Sequence, residues 1–181
     1  MEQIQCAVRT MKINENAILI AVLVISAIFD YRFKKVPNII TFPAIAAGIS
    51  MAFLERGFLG LSVSIAGLII GMAFLYLPYV AGGMGAGDVK LLGAIGAIKG
   101  PWFVFLAFLA MAIIGGVMAI FRIAFVLKKA DMRILGESVR TAYYTRSLSA
   151  LEIPEYARKE KLPYAIAISA GAAVSLMLEM R

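Results

Sequence analysis

The chain has no histidine and a single cysteine, Cys6, among its 181 residues. Without an imidazole it cannot form a Ser-His or Cys-His hydrolase site, a His-ligated zinc site or an H-E-x-x-H metalloprotease centre. A lone cysteine also excludes an internal disulfide and a multi-cysteine metal site. Any chemistry that the chain performs must therefore use other side chains.

Charged residues are scarce as well. They make up 16% of the sequence, against 62% hydrophobic residues, and the mean hydropathy is +0.89. These values lie far from those of soluble domains and predict an integral membrane protein surrounded by lipid. In so apolar a chain, the net charge of +7 indicates membrane orientation rather than a nucleic-acid partner.

The charges divide the sequence into apolar runs. A helix of about 20 residues crosses the roughly 30 Å of hydrocarbon. We predict an all-α integral membrane protein with six transmembrane helices that form one membrane-embedded domain over residues 1–181. The predicted spans are 13–33, 36–54, 57–79, 88–99, 102–122 and 162–179.

The cytoplasmic loop of this topology is predicted at residues 123–161. Apolar residues recur there at spacings of three and four, which indicates an amphipathic segment at the membrane surface. They are Met132, Leu135, Val139 and Tyr143. The segment could rest on anionic lipid or act as a lid or docking surface, and the sequence leaves both open.

The basic residues predict the orientation. Six spans place thirteen Lys and Arg residues on one side of the membrane and five on the other. By the positive-inside rule the thirteen face the cytoplasm, so both termini are predicted outside a multi-pass protein of the cytoplasmic (inner) membrane.

Two aspartates lie deeper than ordinary surface charges. Asp88 precedes Lys99 by eleven residues, and a helix of that length spans only about 16 Å. Asp30 lies near the cytoplasmic end of the first span, so both carboxylates approach one membrane region from the cytoplasmic side. An ionisable group inside the membrane is costly and is by default a functional candidate.

The obvious partner of each aspartate is the other. Two close carboxylates in a low-dielectric site cannot both ionise, so one can activate water while the other donates a proton. Such a pair hydrolyses an amide without metal or other cofactor. Taken singly, Asp30 could be a helix-end charge beside Arg32, and Asp88 could be a helix N-cap after the glycines of residues 82–87.

At these residues the sequence resembles the type IV prepilin peptidases, which are membrane aspartyl proteases of the GxGD type. Gly85-Ala86-Gly87-Asp88-Val89-Lys90 fits the G-x-G-D-x-K form of the family signature. Asp30-Tyr31-Arg32 followed by Val36-Pro37-Asn38 fits the block that carries the family's first aspartate, and Lys161-Leu162-Pro163-Tyr164-Ala165 is similar to the block that opens its last helix. These blocks occur in order, each at the cytoplasmic end of a predicted span.

The resemblance implies a GxGD-protease-like architecture with Asp30 and Asp88 as the catalytic pair. It implies an endopeptidase that removes a short basic leader from a prepilin or pseudopilin, ahead of the substrate's apolar helix, on the cytoplasmic side. The family motifs also imply supporting roles for further residues. These are Gly85, Gly87, Lys90, Arg32, Pro37, Asn38, Pro163 and Tyr164.

The chain departs from the longer bacterial members, which carry an additional cytoplasmic segment with paired cysteines and also N-methylate the new terminus. The sequence has no such segment ahead of the first span, which speaks against methyltransferase activity. The short form resembles the prepilin peptidases of tight-adherence (Tad, Flp-type) pilus systems. Another GxGD protease, a proton-coupled transporter with membrane aspartates and a non-catalytic scaffold are the alternatives. Neither the oligomeric state nor the particular prepilin can be read from the sequence.

Overall fold

The computed structural model describes residues 2–129 and 164–180, and every regular element in these ranges is an α-helix. The helices are α1 Glu2–Phe33, α2 Asn38–Val80, α3 Ala86–Lys99, α4 Pro101–Lys129 and α5 Tyr164–Glu179. One compact unit contains the described residues up to Ile114 together with α5, and a second unit begins at Gly115. The all-α class predicted from the sequence is confirmed for the described residues.

Three helices are long and apolar enough to cross a membrane, which makes the chain a membrane protein. They are the Glu15–Phe33 part of α1, the whole of α2 and the Pro101–Phe121 part of α4. The final helix, α5, is apolar but shorter. Six separate crossings and the single domain over 1–181 stay predictions.

The 43-residue helix α2 is interrupted at Gly57, whose φ of 59° and ψ of −139° are not helical. A glycine adopts this conformation without the steric cost that a Cβ would bring. Helix 38–56 and helix 58–80 then contact the same neighbour, since Gly48 lies against Ala97 of α3 and Gly67 lies against Gly96. The chain therefore folds back at Gly57, the first residue of the predicted span 57–79.

Helix α3 forms the centre of the first unit. Every residue from Leu91 to Ile98 is buried, so α3 has no polar face. Small residues allow α2 to approach its backbone, because a Cβ on Gly71 would lie 2.6 Å from the carbonyl oxygen of Leu92. Ser64 Oγ donates a hydrogen bond of 2.6 Å to the carbonyl oxygen of Ala97. Close packing on all sides thus positions the residue near the start of α3, Asp88.

Two helices extend past their predicted apolar limits. Helix α1 begins at Glu2 rather than at residue 13, and α4 continues to Lys129 rather than ending at residue 122. Charged residues end an apolar run but do not end a helix, because lysine, arginine and glutamate are good helix formers. The predicted amphipathic segment with Met132 to Tyr143 lies outside the described residues.

Candidate active site

Asp30 lies in the last turn of α1 and is only 4% exposed. Its Oδ2 accepts a hydrogen bond of 3.0 Å from the backbone N–H of Ala165, in the first turn of α5. The neighbouring N–H of Ile166 also lies near this carboxylate. Asp30 is therefore a buried residue at the contact between α1 and α5, and not an exposed helix-end charge beside Arg32.

Asp88 lies in the first turn of α3 and is 7% exposed. Its Oδ2 accepts a hydrogen bond of 3.1 Å from the backbone N–H of Gly85, and its own N–H donates to the carbonyl oxygen of Gly85 at 3.1 Å. The residue at the N-cap position is Gly85, and Asp88 is the third helical residue. The carboxylate thus caps its own helix from position N3, one half of a capping box.

The two aspartates come together although 57 residues separate them along the chain. Gly87, next to Asp88, packs against Val36, six residues after Asp30. Each carboxylate accepts backbone N–H groups at a helix N-terminus, the end of the helix dipole that favours negative charge. The N-termini of α3 and α5 therefore converge on one carboxylate pair.

The glycines of the signature control how closely the chain approaches this pair. A Cβ on Gly87 would lie 2.6 Å from the carbonyl oxygen of Val36, so α3 begins directly against the turn between α1 and α2. A Cβ on Gly85 would lie 3.3 Å from Oδ2 of Asp88. Gly87 therefore leaves room for the carbonyl group of Val36, and Gly85 leaves room for the carboxylate of Asp88.

Lys90 and Asn38 contact each other rather than either aspartate. Lys90 Nζ donates a hydrogen bond of 3.1 Å to Asn38 Oδ1, and it lies 5.0 Å from the ring centroid of Phe42. These contacts join the beginning of α3 to the beginning of α2, next to the Gly87 contact. Lys90 therefore links the start of α3 to the start of α2, and a supporting role at the aspartate pair stays a prediction.

The remaining predicted supporting residues surround this region. Pro37 is the N-cap residue of α2, with an extended ψ of 147°. The guanidinium of Arg32 lies 5.9 Å from the ring centroid of Phe33. Tyr164 is the first residue of α5 and is partly buried, whereas Pro163 lies outside the described residues.

The opposite end of α3 contains a different arrangement of charge. Lys99 Nζ lies 3.0 Å from Glu179 Oε2 and 3.9 Å from Glu15 Oε2, and its side chain is only 5% exposed. These residues also line a cavity of about 150 Å³ with Glu55 and Arg56. In the part of the chain that the structure describes, no group of three or more His, Cys, Asp or Glu side chains could hold a metal ion.

Sequence reasoning predicted the two aspartates but missed what positions them. The donors to Asp30 are backbone groups of α5, and the contact of Gly87 is the carbonyl oxygen of Val36. The identity of a residue does not show which contacts its backbone atoms make. The Gly-rich sequence beside Asp88 was the available signal for a close approach, but it did not indicate which segment approaches.

The fold and the site together define a class of protein. In the described residues it is a helical membrane protein with a buried aspartate pair at converging helix ends. The family model described as "Type IV leader peptidase family" matches residues 17–120, more than half of the chain. The chain belongs to this family. Both Asp30 and Asp88 lie within the matched residues.

A curated relative extends the comparison. The chain is 33% identical over 105 residues to the prepilin leader peptidase/N-methyltransferase of Bacillus subtilis (strain 168). The similarity covers 54% of the chain but 40% of the relative, so the chain spans less than half of that protein's length. No solved structure matches the chain significantly.

Proposed function

We propose that the chain is a membrane aspartyl endopeptidase that removes the short basic leader from prepilin-like proteins at the cytoplasmic face of the inner membrane. The observation that carries the proposal is the buried pair Asp30 and Asp88, with each carboxylate hydrogen-bonded to a helix N-terminus. Family membership supplies the substrate class. The family relative also carries an N-methyltransferase name, and the proposal covers the peptidase activity alone.

The chemistry follows from two carboxyl groups that share one proton. The ionised carboxylate takes a proton from water as the water oxygen attacks the scissile carbonyl carbon. The protonated carboxyl group donates its proton to the carbonyl oxygen, so the tetrahedral intermediate is neutral. When the C–N bond breaks, the carboxyl group that took the water proton passes it to the leaving nitrogen, and a hydroxyl group of the intermediate gives its proton to the other carboxylate, so the pair again holds one proton. No histidine or metal takes part in these steps.

The position of the pair suits a substrate that enters from the membrane. Asp88 is in the first turn of α3 and Lys99 ends that helix, a separation of about 16 Å at 1.5 Å per residue. We propose that Lys99 lies at the outer interface, which places the pair below the cytoplasmic surface. A cut directly ahead of an apolar substrate helix requires a site at this depth.

The test is a cleavage assay with purified protein in detergent or proteoliposomes. The substrate is a peptide with a basic leader, a glycine at the cut and an apolar helix. We expect wild-type cleavage, and a loss of at least about 100-fold in Asp30→Asn and in Asp88→Asn, because each removes one proton-exchanging group. Glu179→Gln is the matched control, since it removes a carboxylate at the far end of α3, and it should retain activity.

The alternatives predict other results. Full activity in either aspartate variant would contradict the two-carboxylate mechanism. Cleavage of unrelated transmembrane helices without a leader would indicate a different GxGD protease. Proton flux that both aspartate variants abolish, in a protein that cleaves nothing, would indicate a transporter.

A further inference from the structure

The two aspartates differ in how their carboxylates are positioned. Asp88 accepts its hydrogen bond from Gly85, three residues earlier in its own helix. Asp30 accepts its hydrogen bond from Ala165, 135 residues later in the chain. The orientation of Asp88 is therefore a local property of α3, whereas the orientation of Asp30 depends on where α5 begins.

We propose that the first turn of α5 is the positioning element for Asp30, and that the backbone N–H of Ala165 aims the Asp30 carboxylate at the reacting water. This inference rests on the proposed peptidase function and adds a group outside the matched residues 17–120 to its site. Ala165 is a positioning residue, because it acts through Asp30 and does not touch substrate.

The contact between Ala165 and Asp30 is suited to orienting the carboxylate. Ala165 is completely buried and Asp30 nearly so, so water does not compete for the carboxylate oxygen. Further along the pair of helices, Ser169 Oγ donates a hydrogen bond of 3.2 Å to the carbonyl oxygen of Leu23. This second contact maintains the register of α5 against α1.

The energetics favour a positioning role. A hydrogen bond from a buried N–H to an ionised group is among the stronger ones in proteins, and it is directional. Reactions at a positioned group lose about 100-fold for a misplacement of 1 Å. A change at the Ala165 N–H should therefore lower turnover, while the binding of the substrate helix elsewhere on the protein stays the same.

The experiment replaces Ala165 by its α-hydroxy analogue, lactic acid, through nonsense suppression in cell-free synthesis. The backbone N–H becomes an ester oxygen and the buried methyl group is unchanged, so no bulk enters the site. The matched control is the same exchange at Ala170, which lies in the interior of the same helix. The exchange at position 170 removes an N–H from the helix interior, whereas the exchange at position 165, in the first turn, removes the donor to Asp30 instead.

We expect kcat of the Ala165 ester to fall by about 10-fold or more with KM within about twofold, while the Ala170 ester keeps both constants near wild type. An unfolding temperature of the Ala165 ester at or above that of the Ala170 ester shows that folding is not the cause. Unchanged kcat in the Ala165 ester, equal losses at both positions, or a loss confined to KM would overturn the inference. If wild-type protein cleaves no leader peptide, the proposed function itself is wrong, and that result is distinct from an active enzyme that tolerates the ester.

Discussion

Gly87 is the residue at which the structure makes its sharpest prediction. A Cβ at this position would lie 2.6 Å from the carbonyl oxygen of Val36 and 3.1 Å from the Val36 Cβ. Contacts between carbon and a backbone oxygen are normally longer than 3 Å, so Gly87→Ala must move the start of α3 or the turn before α2. Asp88 follows directly and moves with the start of α3.

Two terms of opposite sign determine the stability of Gly87→Ala. Alanine gains up to about 1 kcal/mol over glycine in a helix, while overpacking of a well-filled site costs about 1–3 kcal/mol. We expect a net loss of about 1 kcal/mol in the free energy of unfolding. Activity should fall much further, by about 10- to 100-fold, because a displacement of a fraction of an ångström reaches the Asp88 carboxylate.

A series of three glycine variants in one loop isolates this effect. A Cβ on Gly83 would meet only the Pro78 carbonyl oxygen at 3.4 Å, and a Cβ on Gly85 would lie 3.3 Å from Asp88 Oδ2. The leader-cleavage rate should therefore be near wild type in Gly83→Ala, intermediate in Gly85→Ala and lowest in Gly87→Ala. A stabilised and fully active Gly87→Ala would refute the close approach of α3 to Val36.

Three further predictions concern residues around the site and at the far end of α3. Lys34 has a φ of 51°, so Lys34→Gly should raise the free energy of unfolding in denaturant titration by about 0.5–1 kcal/mol; Lys35→Gly is the control and should not stabilise. Asn38→Ala and Lys90→Met should show a coupling of about 0.5 kcal/mol in a double-mutant cycle, and strict additivity would contradict the hydrogen bond between them. Lys99→Met should lower the free energy of unfolding by about 1–2 kcal/mol, because it leaves the partly buried carboxylate of Glu15 without a cation. Lys99→Arg is its control, and cleavage per folded molecule should stay unchanged in both Lys99 variants.

The helical class and the candidate pair could be predicted from the sequence, because both depend on single residues and their spacing. Long apolar runs predict helices, and charged residues within or beside such runs stand out at Asp30 and Asp88. The chain reversal inside α2 was predicted as a gap between two spans at Glu55 and Arg56. The structure has the reversal at Gly57, directly after these two residues, where a φ of 59° interrupts the helix.

What could not be predicted is the set of contacts made by backbone atoms. The donor to Asp30 is an N–H that any residue except proline would offer at position 165, and the surface against Gly87 is a carbonyl group of Val36. The role of Lys90 was also left open, and the structure pairs it with Asn38 across 52 residues. Such contacts depend on how the helices are aligned against each other in space. The spacing of residues along the chain does not give this alignment.

Charged side chains are stabilised differently at the two ends of α3, and the difference fits the proposed chemistry. At Lys99 the charges are satisfied by ion pairs with Glu15 and Glu179. Among the described residues, neither Asp30 nor Asp88 forms such a pair, and both are held by backbone N–H groups instead. A nearby cation would strongly favour the ionised carboxylate, because the Coulomb energy is large at low dielectric. A carboxyl group that exchanges a proton in every cycle must be stable with and without it, and a backbone donor orients the group while leaving that exchange possible. The proposed water-activating pair is thus held by backbone donors rather than by ion pairs, whereas the ion pairs at Lys99 suit a purely structural contact.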